Sequence, residues 1–491
     1  MGREFKGLKK IMVAIPLLIV LILTVALSLM NTSDVEGQAA LTVDLEDGFH
    51  EEVELPTGER FTGYVLRGFL HGRGTVIYED GSIYQGYFYK GFRHGQGKFQ
   101  TELFVYEGEF VRGYREGFGR LEFSDGSVYE GYFANDLPHG NGTYTSADDW
   151  QFTGVWVRGQ RDGFAVIAFA NGSIYRGQFE NNEPNGRGIY TSVSGLTYEG
   201  YFREGLRHGQ GKLSEPEGAV YTGTWKNDLR HGDGHQLFAD GSVYEGEFYE
   251  DRKHGEGTYT SSEGWRYEGG WQDGLRHRQG DYFYKNGSVY LGTWKAGLKH
   301  GQGVYASFEG WNYDGQWVNG LKQGQGTLTF ACGSYYVGEF YLNQIHGFGI
   351  YASSEGWVYE GAFVSGIRHG FGSYTFPNGS VYEGQWQYGL EHGQGTYYDI
   401  SGWSYTGEWQ NGIKQGFGRL RYVNGSYFEG TFYNNLPHGR GRRTYHDQLG
   451  EYFATYVGEF AAGLRHGWGT MTYVSGFIQS GHWSHDNFSH E

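Results

Sequence analysis

The sequence predicts an all-β protein: an elongated single-layer array of antiparallel β-hairpins, preceded by one transmembrane helix. A pattern of 23 residues recurs about eighteen times between Phe61 and Ile478. Inside each copy, aromatic residues and glycine alternate with a period of two, which is the period of a strand. Ahead of the repeats, Ile11 to Met30 run for twenty residues without a charge. A fixed period of this size marks a repeat array, in which each unit buries itself against its neighbours. It also leaves no room for the unique sequence that a catalytic domain needs.

Counting each copy from its opening aromatic gives the pattern physical content. Position 1 is Tyr or Phe throughout, from Phe61, Tyr84 and Tyr106 to Tyr405, Phe428 and Tyr456. Position 3 is Gly, and position 5 is Phe or Trp everywhere but Val65. Positions 1, 3 and 5 share one face of an extended strand. Six of the tryptophans among them, Trp225, Trp271, Trp294, Trp317, Trp386 and Trp409, form a candidate structural aromatic row. His-Gly-x-Gly at positions 11 to 14, as in His94 to Gly97, reads as the turn of the hairpin. A second strand follows with apolar residues at position 16 and often 18, as in Tyr374 and Phe376. The copy closes on Asp-Gly-Ser or Asn-Gly-Ser, where Gly supplies the positive φ that a tight turn needs. No stretch after residue 30 has a helical period.

The segments YEGEF at 106–110 and 244–248, with GLRHGQG at 205–211, resemble the MORN repeat (membrane occupation and recognition nexus). The resemblance covers residues 61–478. It implies a scaffolding or tethering protein, often at membranes, and no enzyme, because the enzymes of that family carry a separate kinase or methyltransferase domain. Arg278 replaces the position-12 Gly and Ala165 the position-14 Gly. The copy at Tyr84 is one residue short, and the copy at Phe428 carries five extra residues, expected to lengthen a loop. Closing turns alternate between a Gly-Ser and a Gly-Trp type, as at Gly356-Trp357 and Gly402-Trp403, which suggests two edges of unequal bulk.

Both ends fit a capped array, since residues 49–60 read as an N-terminal half-repeat and 479–491 as a C-terminal half-repeat and tail. Half-repeats blunt open sheet edges. Residues 1–10 form a basic tail with Arg3, Lys6, Lys9 and Lys10, residues 11–30 the signal-anchor, and 31–48 an acidic-leaning linker with Asp34 and Glu36. Twenty apolar residues span a bilayer core, and the flanking charges keep the tail cytosolic with the repeats outside the cytosol. A cleaved signal peptide, and hence secretion, is the rival reading. Gly2 is no myristoylation site, because Lys6 stands where that motif wants Ser or Thr.

The net charge of −17 disfavours nucleic acid as a partner. Basic residues recur at position 10, placed by this reading in the hairpin turn: Arg93, Arg115, Arg161, Arg207, Arg230, Lys253, Arg276, Lys299, Lys322, Arg368, Lys414 and Arg465. They would line one long edge, either as a solvated row or as a polyvalent site for phosphate and carboxylate groups. Histidines such as His71, His208 and His300 recur at position 11, about 10 Å apart between neighbouring copies. That is too far to share a zinc ion, so a turn-bracing hydrogen bond is their expected role. Cys332 is the single cysteine and allows no internal disulfide. No metal or other cofactor is implied. Asn-Gly-Ser at Asn171, Asn286, Asn378 and Asn424 matches the glycosylation sequon, but turn chemistry accounts for it.

The expected function is therefore a membrane-anchored scaffold. Its partners would be proteins, phospholipid headgroups or a second copy of the chain, met along the repeat face. An extracytoplasmic glycan- or cell-wall-binding array is the alternative.

Overall fold

The structure, a computed structural model, describes residues 40–489. The basic tail, the signal-anchor and residues 31–39 of the linker lie outside the described residues. Among the described residues there are 39 strands and no helix, hence none long and apolar enough to cross a membrane. Two compact units divide after Ser262. The first runs from strand Gly48–Glu54 to strand Arg252–Thr260, and the second from Arg266–Gln272 to Asn487–Ser489. Inside each unit every strand pairs antiparallel with the next one in sequence, as a meander.

The copy that opens at Tyr313 shows how the residues make the hairpin. Strand Asn312–Val318 is joined to strand Leu321–Thr329 by Asn319-Gly320, with φ of +51° and +85°. Two central residues with positive φ make a type I′ turn, whose twist matches that of the strands. The hairpin turn is thus at positions 7 and 8, and the expectation of a turn at positions 11 to 14 is corrected. His-Gly-x-Gly and its variants lie inside the second strand as a β-bulge. Gly315 faces Gly326, but two residues on, Trp317 faces Lys322, four residues away. Gly324 in the bulge has φ +76°. Glycine meets the same conformational demand in a bulge as in a turn, which is why the motif resembled one. Arg278 holds the bulge position at φ +61° without being glycine.

The core lies on one face of each sheet. Tyr313 is fully buried, and its ring lies flat over the cross-strand pair Gly315 and Gly326. A Cβ on either glycine would come within 2.6 Å of that ring or its hydroxyl. The hydroxyl donates to Gln316 O at 2.9 Å. Trp317 of the same copy and Phe340 of the next meet the ring edge-to-face, with centroids 5.2 and 4.9 Å away. The indole N–H of Trp317 donates to Gly303 O of the preceding copy at 2.9 Å. Position 5 therefore belongs to two copies at once, and edge-to-face pairs are worth about 0.5–1.5 kcal/mol each beyond burial. All six tryptophans of the aromatic row are buried.

The closing turns have two chemistries. A Ser at the turn's end is buried and accepts the N–H of the next turn, as Ser288 Oγ does from Phe308 at 3.1 Å. A Trp there stacks instead: Trp357 lies between Tyr351 and Tyr374, 5.0 and 5.4 Å away. The five extra residues after Phe428 do not simply lengthen a loop. They lengthen two strands, Leu436–His446 and Tyr452–Ala461, because Thr444, Tyr445 and His446 find partners in Thr455, Ala454 and Tyr452. At the start, Gly48–Glu54 pairs with Arg60–Leu66, and residues 40–43 cross the first two hairpin tips. At the end, Trp483 of strand Ile478–Ser484 donates its indole N–H to Gly469 O at 3.2 Å.

Trp294 is 3 % exposed and donates its indole N–H to Gly280 O at 2.8 Å. Trp294→Ala should therefore destabilise the protein by about 3–5 kcal/mol. Urea denaturation followed by circular dichroism measures this, and a loss below ~1 kcal/mol would mean that the row is not core.

Candidate interaction surfaces

Position 10 is where the structure departs most from the sequence reading. The bulge places it opposite the position-5 aromatic, so its side chain points onto the core face and not along a solvated edge. Arg93, Arg115, Arg161 and Arg207 are buried, and Arg230, Arg276, Arg368 and Arg465 are half-buried. The guanidinium carbons of Arg207, Arg276, Arg368 and Arg465 lie 4.0 to 4.5 Å above the rings of Trp225, Trp294, Trp386 and Trp483. Their Nη2 atoms donate to the backbone O of the next hairpin tip, as Arg368 does to Gly389 at 2.9 Å. Where that tip carries Asp, an ion pair is added: Arg207–Asp228 at 3.2 Å, Arg230–Asp251 at 3.0 Å and Arg465–Asp486 at 2.9 Å. Burial pulls the Arg207 guanidinium down from its usual range, and Asp228 opposes the pull.

The lysines of this row behave alike. Lys253, Lys299, Lys322 and Lys414 are half-buried, with Nζ over Tyr259, Tyr305, Trp311 and Trp403 at 4.2, 4.4, 5.2 and 4.5 Å. The arginines thus fasten aromatic rings and hairpin tips of successive copies by cation–π contact and hydrogen bonding, and the lysines meet aromatic rings by cation–π contact. It is not an open anion-binding edge.

The histidines pack beside these tips. Tyr249 lies between His231 and His254, with centroids 5.1 and 5.6 Å away. Nδ1 of His277 accepts the N–H of Ala296, in the next tip, at 3.4 Å. Among the described residues no group of three or more His, Cys, Asp and Glu could hold a metal ion. Cys332 is exposed in a closing turn.

The opposite face of each sheet carries positions 2, 4, 13 and 15. Between them positions 3 and 14 show only backbone, a lane in which they face each other across the strands, as glycines at, for example, Gly63, Gly74, Gly86, Gly97, Gly108 and Gly119, and as Gly154 and Ala165 in one copy. The lane floors a groove of about 930 Å³, walled by Arg73, Gln85, Tyr87, Lys98, Glu107 and Arg120. Lys98 pairs with Glu107 at 2.6 Å, and Arg73 lies over Tyr87 at 5.1 Å. Phe118 and Tyr132 meet edge-to-face at 5.6 Å, and both are half exposed. The sequence reading passed over this groove, since it followed the glycines as turn residues and not as a floor.

The sequence model of the MORN repeat matches eighteen segments of the chain, from 61–83, 84–101 and 106–128 to 428–449 and 456–477. No curated protein matches the chain. Among solved structures, the wild-type TCP10 domain of Danio rerio CPAP is similar at 15 % identity and a TM-score of 0.24, covering 39 % of this chain and 91 % of that one. The same domain in complex with a peptide of Danio rerio STIL is 12 % identical with a TM-score of 0.24, covering 44 % and 91 %. The TCP domain of Drosophila melanogaster SAS-4, in complex with a proline-rich motif of Ana2, is 14 % identical with a TM-score of 0.21, covering 32 % and 85 %.

Lys299 gives the electrostatics a test. Burial, with Arg276 and Lys322 adding to it, pushes its ammonium from 10.5 down to about 8. Between those two values the unfolded chain holds a proton that the folded one does not, so this site's contribution to stability rises with pH across that window. Below it, folding bears the cost of a charged buried group. Lys299→Met should be at least as stable as the parent at pH 7 and lose that advantage by pH ~10. Urea midpoints across pH read this, and an advantage that grows with pH would contradict the burial.

Proposed function

Because the chain belongs to the MORN repeat family, we propose that it is a non-catalytic, membrane-anchored scaffold that binds proteins or phospholipid headgroups along its repeated surface. The observation that carries this reading is the open sheet face. Each hairpin presents the same backbone floor between a row of positions 2 and 15 and a row of positions 4 and 13, so a ligand met once can be met again about 10 Å further on. Linked weak contacts gain through effective concentration. Arg73, Lys98 and Arg120 in the groove would meet anionic headgroups or carboxylates. With the position-10 cations turned inward, this face takes over the role that the sequence alone gave to the tips.

The anchor rests on residues 11–30, with Arg3, Lys6, Lys9 and Lys10 before them and Asp34 and Glu36 after them. This charge order favours a cytosolic N-terminus and repeats outside the cytosol. The half-exposed rings of Phe118 and Tyr132 beside Glu130 favour the second reading, a glycan-binding face, since sugar rings stack on such aromatics.

Two measurements test the proposal. A C-terminal tag in sealed cell-derived vesicles should be protected from added protease if the repeats lie in the vesicle lumen; cleavage without detergent would place them in the cytosol. Affinity for anionic vesicles or for proteins captured from lysate should fall progressively for chains ending after Ile478, Val381 and Val243. Loss of all binding with one particular copy would point to a local site, and capture by immobilised polysaccharide alone would favour the glycan reading.

A further inference from the structure

Of three neighbouring hairpin tips in the second unit, the two outer ones carry a large apolar residue at the first turn position, which the other tips do not. Tyr341, Leu342, Val364, Ile367, Tyr388 and Leu390 stand there with 45 to 76 % of their surface exposed. Leu342 and Tyr388 occupy the first turn position at φ +48° and +53°. A large side chain is disfavoured in that region, and elsewhere the position holds mostly Asn, Asp, Arg or another polar or small residue. Neither side chain enters the core. Strained, exposed and apolar residues on tips two copies apart, flanking the tip at Gly366, are not what the fold requires, so they mark a surface that meets something.

The first unit shows what can lie on such tips. Residues 40–43 cross two of them, with Leu41 N–H donating to Gly91 O at 3.0 Å and Val43 N–H to Gly68 O at 2.9 Å. Thr42 bridges antiparallel to Phe69. In most copies where position 10 is Arg, that residue meets the carbonyl of the next tip, as Arg276 does at Gly297 O and Arg368 at Gly389 O. Leu70 takes that Arg's place ahead of Gly91, which leaves the carbonyl to Leu41. As at other tips without that Arg, the position is vacant at Asn343 and Gly366, where the preceding residues are Lys322 and Ile345, and only there does it coincide with the apolar tip residues Leu342 and Tyr388 on either side. Among the described residues no donor reaches Asn343 O or Gly366 O. Room matches as well. The backbone of Leu41 passes 2.7 Å from where a Cβ on Gly91 would stand, and a Cβ on Gly366 would meet nothing within 4 Å.

We propose that the tips at 341–343, 364–367 and 388–390 are a docking track for an extended polypeptide segment, laid across them as residues 40–43 lie across Gly68 and Gly91. The occupant is a strand of Leu-x-Val character. Two of its backbone N–H groups, two residues apart, donate to Gly366 O and Asn343 O, and its apolar side chains lie against Leu342, Ile367 and Tyr388. This is recognition by main-chain hydrogen bonds with alternate side chains read by apolar contacts. The proposal rests on the scaffold reading and gives it a partner chemistry, at a surface separate from the glycine-floored face.

The test uses the full chain and a fluorescent peptide of sequence AALTVDL, the chain's own residues 39–45, followed by anisotropy. Saturable binding is expected. The double variant Leu342→Asn, Tyr388→Asn should weaken it at least about tenfold. Its thermal midpoint should hold or rise, because Asn suits a left-handed turn position. The peptide methylated on the Leu and Val nitrogens should not bind. No saturable binding, or equal affinity in the parent and the double variant, would overturn the proposal. Dimerisation that the double variant abolishes, without peptide binding, would give the surface to a second copy and overturn the peptide as occupant. None of these outcomes bears on vesicle or protein binding by the open face, so the two readings fail separately.

Discussion

One packing constraint organises this protein: in every copy but the one at Phe152, the opening aromatic lies over a pair of glycines that face each other across the hairpin. A ring can lie against backbone only where both residues beneath it lack a Cβ. That fixes glycine at positions 3 and 14 and turns the ring's edge toward the position-5 aromatics of its own and the next copy. The one copy with Ala at position 14, Ala165, opens with Phe152, and there a Cβ on Gly154 would meet Ala165 and not the Phe152 ring. On the other face positions 3 and 14 show backbone alone, because their side-chain direction is toward the ring.

The fold class was legible because the period is long, fixed and repeated, and because a two-residue alternation has only one common structural reading. The position of the turn was not legible from glycine alone. His-Gly-x-Gly drew attention, while Asn-Gly at 319–320 and 411–412, the strongest short hairpin signal, stood at the true turn. Misplacing the turn by a few residues concealed the bulge, and the bulge decides which face position 10 occupies. A row of arginines that looked solvated is therefore found over aromatic rings, tryptophan at Arg207, Arg276, Arg368 and Arg465. The alternation of closing turns was visible in the sequence, but its chemistry, a serine hydroxyl against a stacked indole, needed the coordinates.

The inward cations change how charge is used. A buried guanidinium over an indole, with its N–H groups on the next tip, couples copies through contacts that bulk salt screens little. Surface pairs such as Lys98–Glu107 contribute little to stability, but they set the pattern that a ligand in the groove would meet. Cohesion thus lies on one face, and the recognition proposed for this protein would lie on the other. The exposed apolar tips near Leu342 stand outside both, which is why they are best explained by a partner.

The central claim concerns the ring over the glycine pair, and a double-mutant cycle on Tyr313 and Gly326 tests it most directly. If the ring fills the space beside Gly326, then Gly326→Ala costs about 1–3 kcal/mol in the parent through overpacking. In the Tyr313→Ala background most of that cost should disappear, because the obstructing ring is gone, leaving a coupling energy of similar size. Additive losses, with coupling near zero, would contradict the account, since glycine would then be required for some reason other than the ring above it.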